Sequence, residues 1–211
     1  MKWITRPFAT LTVLLAVVAA TFFAGPSSEP MAAAPVRQQT LALAGGLPDS
    51  WEHRAIAWLD AQRGIPMSRT ELGSLVRLVD RTAERFETDP LMILAVIQVE
   101  SRFDPFAVSP RGARGLMQVR PETAREIAPR LGIEWTSDDL LFDPEVNVLI
   151  GTWYVQHLLE RFDGNLDAAF AAYEAGPGRI EGHLARSSEV PLRYADRIWN
   201  VLVALQTQIA A

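Results

Sequence analysis

Beyond residue 50, apolar side chains recur at helical intervals, and no segment shows the two-residue alternation of a half-buried strand. Ser50 is expected to cap a helix running to about Gln62, with Trp51, Ile56, Trp58 and Leu59 on it, and Gly64 and Pro66 stop it. Ser68, with Glu71 three residues on, has the pattern of a capping box. It opens a helix carrying Leu72, Leu75, Val76, Val79, Ala83 and Phe86. Asp89 and Pro90 suit the N-cap and first position of the next helix. There Leu91 to Ile97 and Val99 are all apolar, and only Gln98 interrupts them before Glu100. A helix apolar on nearly every face belongs inside a domain, and this one is too short to span a membrane.

Further on, Pro121 starts a helix that Gly132 ends, and Trp135 to Phe142 reads as a loop with a short turn. Asp143-Pro144 opens a long helix that Gly164-Asn165 breaks. Leu166 to Tyr173 is a short apolar helix ended by Gly176-Pro177. Arg179 to Arg186 and Pro191 to Ile209 complete the series. The expected fold class is all-α, with one helical domain over 49–211.

The first 48 residues are of another kind. Lys2 and Arg6 precede an uncharged apolar run from Phe8 to Ala24, the layout of an export signal. The run also nears the lower limit for a membrane span, so a signal anchor is the rival reading. Residues 25–48 are rich in Gly, Pro, Ser and Ala and read as a flexible linker. Residues 1–24 are therefore expected to export or anchor the chain, which would place it in the periplasm or cell envelope, with the inner membrane as the anchoring surface. Such a segment also allows a membrane tether, and a tethered domain could serve a cell-envelope assembly apparatus.

Composition narrows the chemistry. The 211 residues carry a formal net charge of −5, which argues against a nucleic-acid partner. No cysteine is present, so disulfides and thiol nucleophiles are excluded. His53, His157 and His183 lie far apart and lack metal-ligand spacing, and no metal or other cofactor is expected.

Glu100 is the candidate for chemistry. Burial at the end of an apolar helix raises a carboxyl's pKa, and a carboxyl still protonated near neutral pH can act as a general acid. The plainer alternative is a structural glutamate paired with Arg102 or Arg114. After it, 109–115 is polar, glycine-containing and turn-like, and can fold back over the acid. Gln118 can donate and accept hydrogen bonds, which suits sugar hydroxyls and acetamides. No histidine-and-acid set accompanies Ser101 or Ser109, which argues against a serine nucleophile.

Four ordered motifs resemble those of the SLT-type lytic transglycosylases. They are Glu100-Ser101-Arg102-Phe103, the run from Ala107 to Ala113, Gly115-Leu116-Met117-Gln118, and Ala172-Tyr173-Glu174-Ala175-Gly176-Pro177-Gly178. The segment from Asp143 to Gly164 also matches, through Asn147, Gly151 and Tyr154. The resemblance spans about Val76 to Val201 and implies a lysozyme-like helical domain acting on peptidoglycan glycan strands. It implies that Glu100 protonates the MurNAc–GlcNAc glycosidic oxygen and then acts as base, yielding a 1,6-anhydro ring. It implies substrate contacts for Ser109 and Gln118, a groove wall at Met117, and a hydroxyl from Tyr173 beside Glu100 that can hold the carboxyl or the acetamide. Tyr194 matches a late tyrosine of the family.

One position departs from the pattern: Glu174 stands where the family usually has Asn. A solvent-facing Glu174 would change little. Close to Glu100 it would raise the acid's pKa, and as a second carboxylate it could activate water and make the protein a lysozyme-like hydrolase. A non-catalytic sugar-binding or assembly module is the reading of another class.

Overall fold

The structure, a computed structural model, describes residues 50–209; the signal and linker expected before residue 49 lie outside the described residues. Within them are eight α-helices and two short 3₁₀ segments. They are α1 (Trp51–Asp60), α2 (Arg69–Arg85), α3 (Pro90–Glu100), α4 (Pro121–Ile127), α5 (Pro144–Arg161), α6 (Leu166–Ala175), α7 (Pro177–Ala185) and α8 (Arg193–Ile209).

The centre of the domain is α3. Pro90 to Ile97 are all buried, and each fully buried Leu or Ile contributes roughly 1.5–3 kcal/mol. The Asp89 carboxylate accepts the Leu91 N–H at 2.7 Å and starts the helix. The helix α8 packs along α3 with Ile198, Leu202, Leu205 and Ile209 buried. The helix α2 also packs against it, held at its start by the reciprocal Ser68–Glu71 capping box. The helices α5 and α6 close the core, and α6 is fixed to α8 by Phe170 edge-on to Trp199 and by the Trp199 indole donating to Asp167 at 2.7 Å.

Several boundaries differ from expectation, each for a local reason. Ser50 precedes α1 without a side-chain cap bond. The α4 helix turns 3₁₀ at Ala128–Leu131, where Pro129 cannot donate to the α ladder. The loop before α5 contains the short turn expected there, a 3₁₀ turn at Asp138–Phe142. Gly176 joins α6 directly to α7, which begins at Pro177 rather than Arg179. Its φ of 88° with ψ of 141° is open essentially to glycine alone. The last helix begins at Arg193, since the Asp196 N–H pairs with the Leu192 carbonyl.

Among the described residues no helix is long and apolar enough to cross a membrane.

Candidate active site

Glu100 is the last residue of α3 and is partly buried. The chain then turns sharply, with Arg102 and Phe103 both at positive φ (53° and 65°). That conformation costs a non-glycine residue about 1 kcal/mol or more. Phe103 is fully buried, and burial of its ring holds the turn in place.

The loop that follows is clamped to α5. The Ser109 N–H donates to the Ala113 carbonyl at 2.9 Å, and the Ser109 Oγ accepts the Ala113 N–H at 3.0 Å. Arg114 makes isolated bridges to Val108 and Val119. Asn147 of α5, itself fully buried, donates from Nδ2 to the carbonyls of Arg114 and Leu141, each at 2.8 Å. Its Oδ1 accepts the Met117 N–H at 2.7 Å. Gly115 (φ 76°) lies in the middle of this clamp: a Cβ there would meet the Leu141 carbonyl at 2.1 Å and Asn147 Nδ2 at 2.3 Å. Only glycine fits.

Met117 is not a groove wall. Its side chain is fully buried, and its sulfur lies so close to Gly151 that a Cβ there would stand 2.6 Å away. The reason is that the Asn147 clamp draws the Met117 backbone onto α5. Gln118 sits at positive φ (49°), and its amide donates to the Ala107 and Gly115 carbonyls at 3.0 and 2.9 Å. Both amide hydrogens are therefore occupied, and its carbonyl oxygen is the group left to meet a ligand.

The hydroxyl that reaches Glu100 comes from Tyr194, at the start of α8, which donates to Oε1. Tyr173 was expected in that role; its hydroxyl instead donates to the Met117 carbonyl at 2.8 Å. The two phenol rings stack, with centroids 6.3 Å apart and planes 13° apart, and Tyr154 packs against Tyr173 at 5.5 Å. Burial, reinforced by the charge of Glu100, pushes both phenols well above their ordinary value, so they remain protonated donors.

Burial pushes the Glu100 carboxyl up from 4.5 to about 7, against the Tyr194 hydrogen bond and the nearby Arg197, while Glu174 adds to the rise. Neither arginine offered by the sequence as a partner plays that part. Arg114 pairs with Asp139 at 2.7 Å and lies over the Phe142 ring, and Arg102 is exposed. Glu174 is also exposed and is paired with Arg197 at 2.9 Å. The Arg197 guanidinium lies 5.2 Å from the centre of the Tyr194 ring. Sequence reading passed over Arg197; its position one helical turn after Tyr194 on the same face was the available signal.

Gln118, Tyr173 and Glu174 line a cleft of about 250 Å³ together with Tyr154, Gly176 and Arg179. Two cleft residues, Tyr173 and Glu174, interact electrostatically with Glu100. The site thus offers one proton donor poised near neutrality, fixed phenols and a hydrogen-bonding wall. Among the described residues no three His, Cys, Asp or Glu side chains come together as metal ligands.

The family model described as "Transglycosylase SLT domain" matches residues 77–193, more than half of the chain. The chain belongs to the transglycosylase SLT domain family. The soluble lytic murein transglycosylase of Escherichia coli K12 is 41% identical over 96 residues, covering 45% of this chain and 15% of that protein. The membrane-bound lytic murein transglycosylase C of Edwardsiella ictaluri is 38% identical over 113 residues, covering 49% and 31%. The SLT domain described here superposes on the crystal structure of the 70 kDa soluble lytic transglycosylase of E. coli with a TM-score of 0.55 and 26% identity, over 82% of this chain and 30% of that one. A complex of the 70 kDa soluble lytic transglycosylase with bulgecin A matches with a TM-score of 0.52 and 25% identity, over 85% and 29%. This chain thus spans less than a third of these relatives, and the all-α, lysozyme-like architecture expected of an SLT domain is the one observed.

Proposed function

We propose that this SLT domain is a peptidoglycan lytic transglycosylase that cleaves the β-1,4 bond between MurNAc and GlcNAc. The observation that carries the reading is Glu100: a half-buried carboxyl raised to about 7 and held by the Tyr194 hydroxyl. Near pH 7 such a group is populated in both protonation states, as a residue acting first as acid and then as base requires.

In the first step Glu100 gives its proton to the glycosidic oxygen, and the GlcNAc leaves with the bonding pair. The substrate's own 2-acetamido group stabilises the positive C1 centre. In the second step the Glu100 carboxylate takes the proton of the MurNAc C6 hydroxyl, and that oxygen bonds to C1. The product is a 1,6-anhydro ring, the carboxyl is regenerated, and no water is consumed. One protein carboxylate suffices because the substrate supplies the second group, in contrast to the usual paired carboxylates of glycosidases.

Glu174 supports this reading over a hydrolase, since its carboxylate is exposed and engaged by Arg197. Tyr194 orients the acid. Gln118, with its carbonyl oxygen unengaged by its own amide contacts, lines the cleft with Tyr173, Glu174 and Arg179, while Ser109 lies outside this lining and keeps its hydroxyl hydrogen for a sugar beyond it. The apolar segment at 8–24 supports export to the periplasm or cell envelope, where glycan strands are met. Relatives named soluble and membrane-bound murein transglycosylases fit that setting.

The test is to incubate the full chain with purified peptidoglycan and take masses of the soluble fragments. Fragments one water lighter than hydrolysed muropeptides are expected. Hydrated, reducing-end products would overturn the transglycosylase reading in favour of hydrolysis.

A further inference from the structure

Glu174 and Arg197 are joined in a way the reaction above does not use. Both side chains are about half exposed, so their ion pair adds little stability. Its position is more telling. Arg197 stands one helical turn after Tyr194, with its guanidinium against that ring, and the Tyr194 hydroxyl ends on Glu100. A cation on the ring face polarises the phenol and strengthens its hydroxyl as a donor. Glu174, on α6, draws the same guanidinium to itself at 2.9 Å. A chain of contacts thus runs from an exposed carboxylate, through a cation and a phenol, to the carboxyl of Glu100.

We propose that Glu174 and Arg197 are a pair of positioning residues with opposite effects, Arg197 favouring the ionised form of Glu100 through Tyr194 and Glu174 offsetting it. The proposal rests on Glu100 being the acid of the reaction. The charged and titratable groups acting on Glu100 are Tyr194 and Arg197 of α8 and Tyr173 and Glu174 of α6. Tyr154 of α5 acts on Tyr173 in turn, Arg114 is turned to Asp139, and Arg102 is exposed. Arg197 pulls the carboxyl down and Glu174 pushes it up, in agreement with the geometry. Neither residue touches the bond being cut, and both lie at the surface, where they can be changed without disturbing the core.

The experiment compares the wild type with Glu174→Gln, Arg197→Gln and the double variant. Two readouts are taken on the full chain: the pH profile of kcat/KM on peptidoglycan, and the titration of the Glu100 carboxyl carbon by NMR. In Glu174→Gln the titration is expected to move to lower pH, because a repulsive charge is lost and Arg197 is released. In Arg197→Gln it moves to higher pH. Each shift should be about half a pH unit, the scale of a solvated charge pair, and should shrink on adding salt. The double variant returns toward the wild type. Shifts of equal sign, or none, in folded variants overturn the proposal whether or not the protein cleaves glycan. If the wild type releases no fragments, the transglycosylase reading fails while the NMR titration still decides the electrostatic one.

Discussion

Replacing Glu100 by Gln should slow cleavage severely and, above neutral pH, make the protein more stable. The group is raised from 4.5 to about 7 chiefly by burial. Folded protein therefore holds a proton there over a range in which the unfolded chain has released it. Stability rises with pH where the unfolded state binds more protons; here the folded state binds more, so stability falls as pH rises from about 4.5 to about 7. The difference of about 2.5 units, at 1.36 kcal/mol each, gives a cost of about 3 kcal/mol that is fully present above pH 7. Gln has nearly the same shape, can still accept the Tyr194 hydrogen bond, and carries no charge. The stability gap between Glu100→Gln and wild type should therefore widen by about 3 kcal/mol between pH 4 and pH 8.5. In a domain of this size that corresponds to about 6–12 °C in Tm. Urea unfolding of both proteins across that range is the assay. Glu71 and Glu181, whose carboxyls are held low by their partners, are present in both proteins and cancel in the difference. A gap that stays constant with pH would refute the argument that burial raises Glu100.

Cleavage by Glu100→Gln should fall about 10²–10⁴-fold, the usual worth of general acid–base catalysis, as measured by release of soluble fragments. Tyr194→Phe removes a hydrogen bond that lowers the Glu100 pKa, so the alkaline fall of kcat/KM should move to higher pH than in the wild type. Asn147→Ala leaves the Met117 N–H and the Leu141 carbonyl without their partner, while the Arg114 carbonyl keeps the Val119 N–H at 3.1 Å, and should cost about 2–4 kcal/mol in urea unfolding. Gly151→Ala forces the buried Met117 side chain to move and should cost about 1–3 kcal/mol, with Tm as the readout.

Helix content, the buried helix α3 and the nomination of Glu100 were all decided by local pattern. Helical periodicity, caps such as Ser68 and Asp89, and an unbroken apolar run ending in an acid are properties of neighbouring residues, so they can be read along the chain. The family resemblance also marked Gly115 and Asn147, but as matches without a role. What these residues do depends on contacts between positions 30 or so apart, such as Asn147 with Met117.

Tertiary structure alone assigned the hydroxyls. Tyr173 and Tyr194 are equally good donors in sequence, and only the packing of α6 and α8 sends one to the Met117 carbonyl and the other to Glu100. It also took Met117 out of the groove, because the Asn147 clamp pulls that backbone inward. It settled the surroundings of Glu174, which a carboxylate in an otherwise familiar motif left open, by supplying Arg197 from another helix. The raised pKa of Glu100 belongs to the same class. A sequence can put an acid at the end of an apolar helix, but the extent of its desolvation is set by the packed fold, and the groups that act on it, Glu174, Tyr194 and Arg197, come from segments more than 70 residues away.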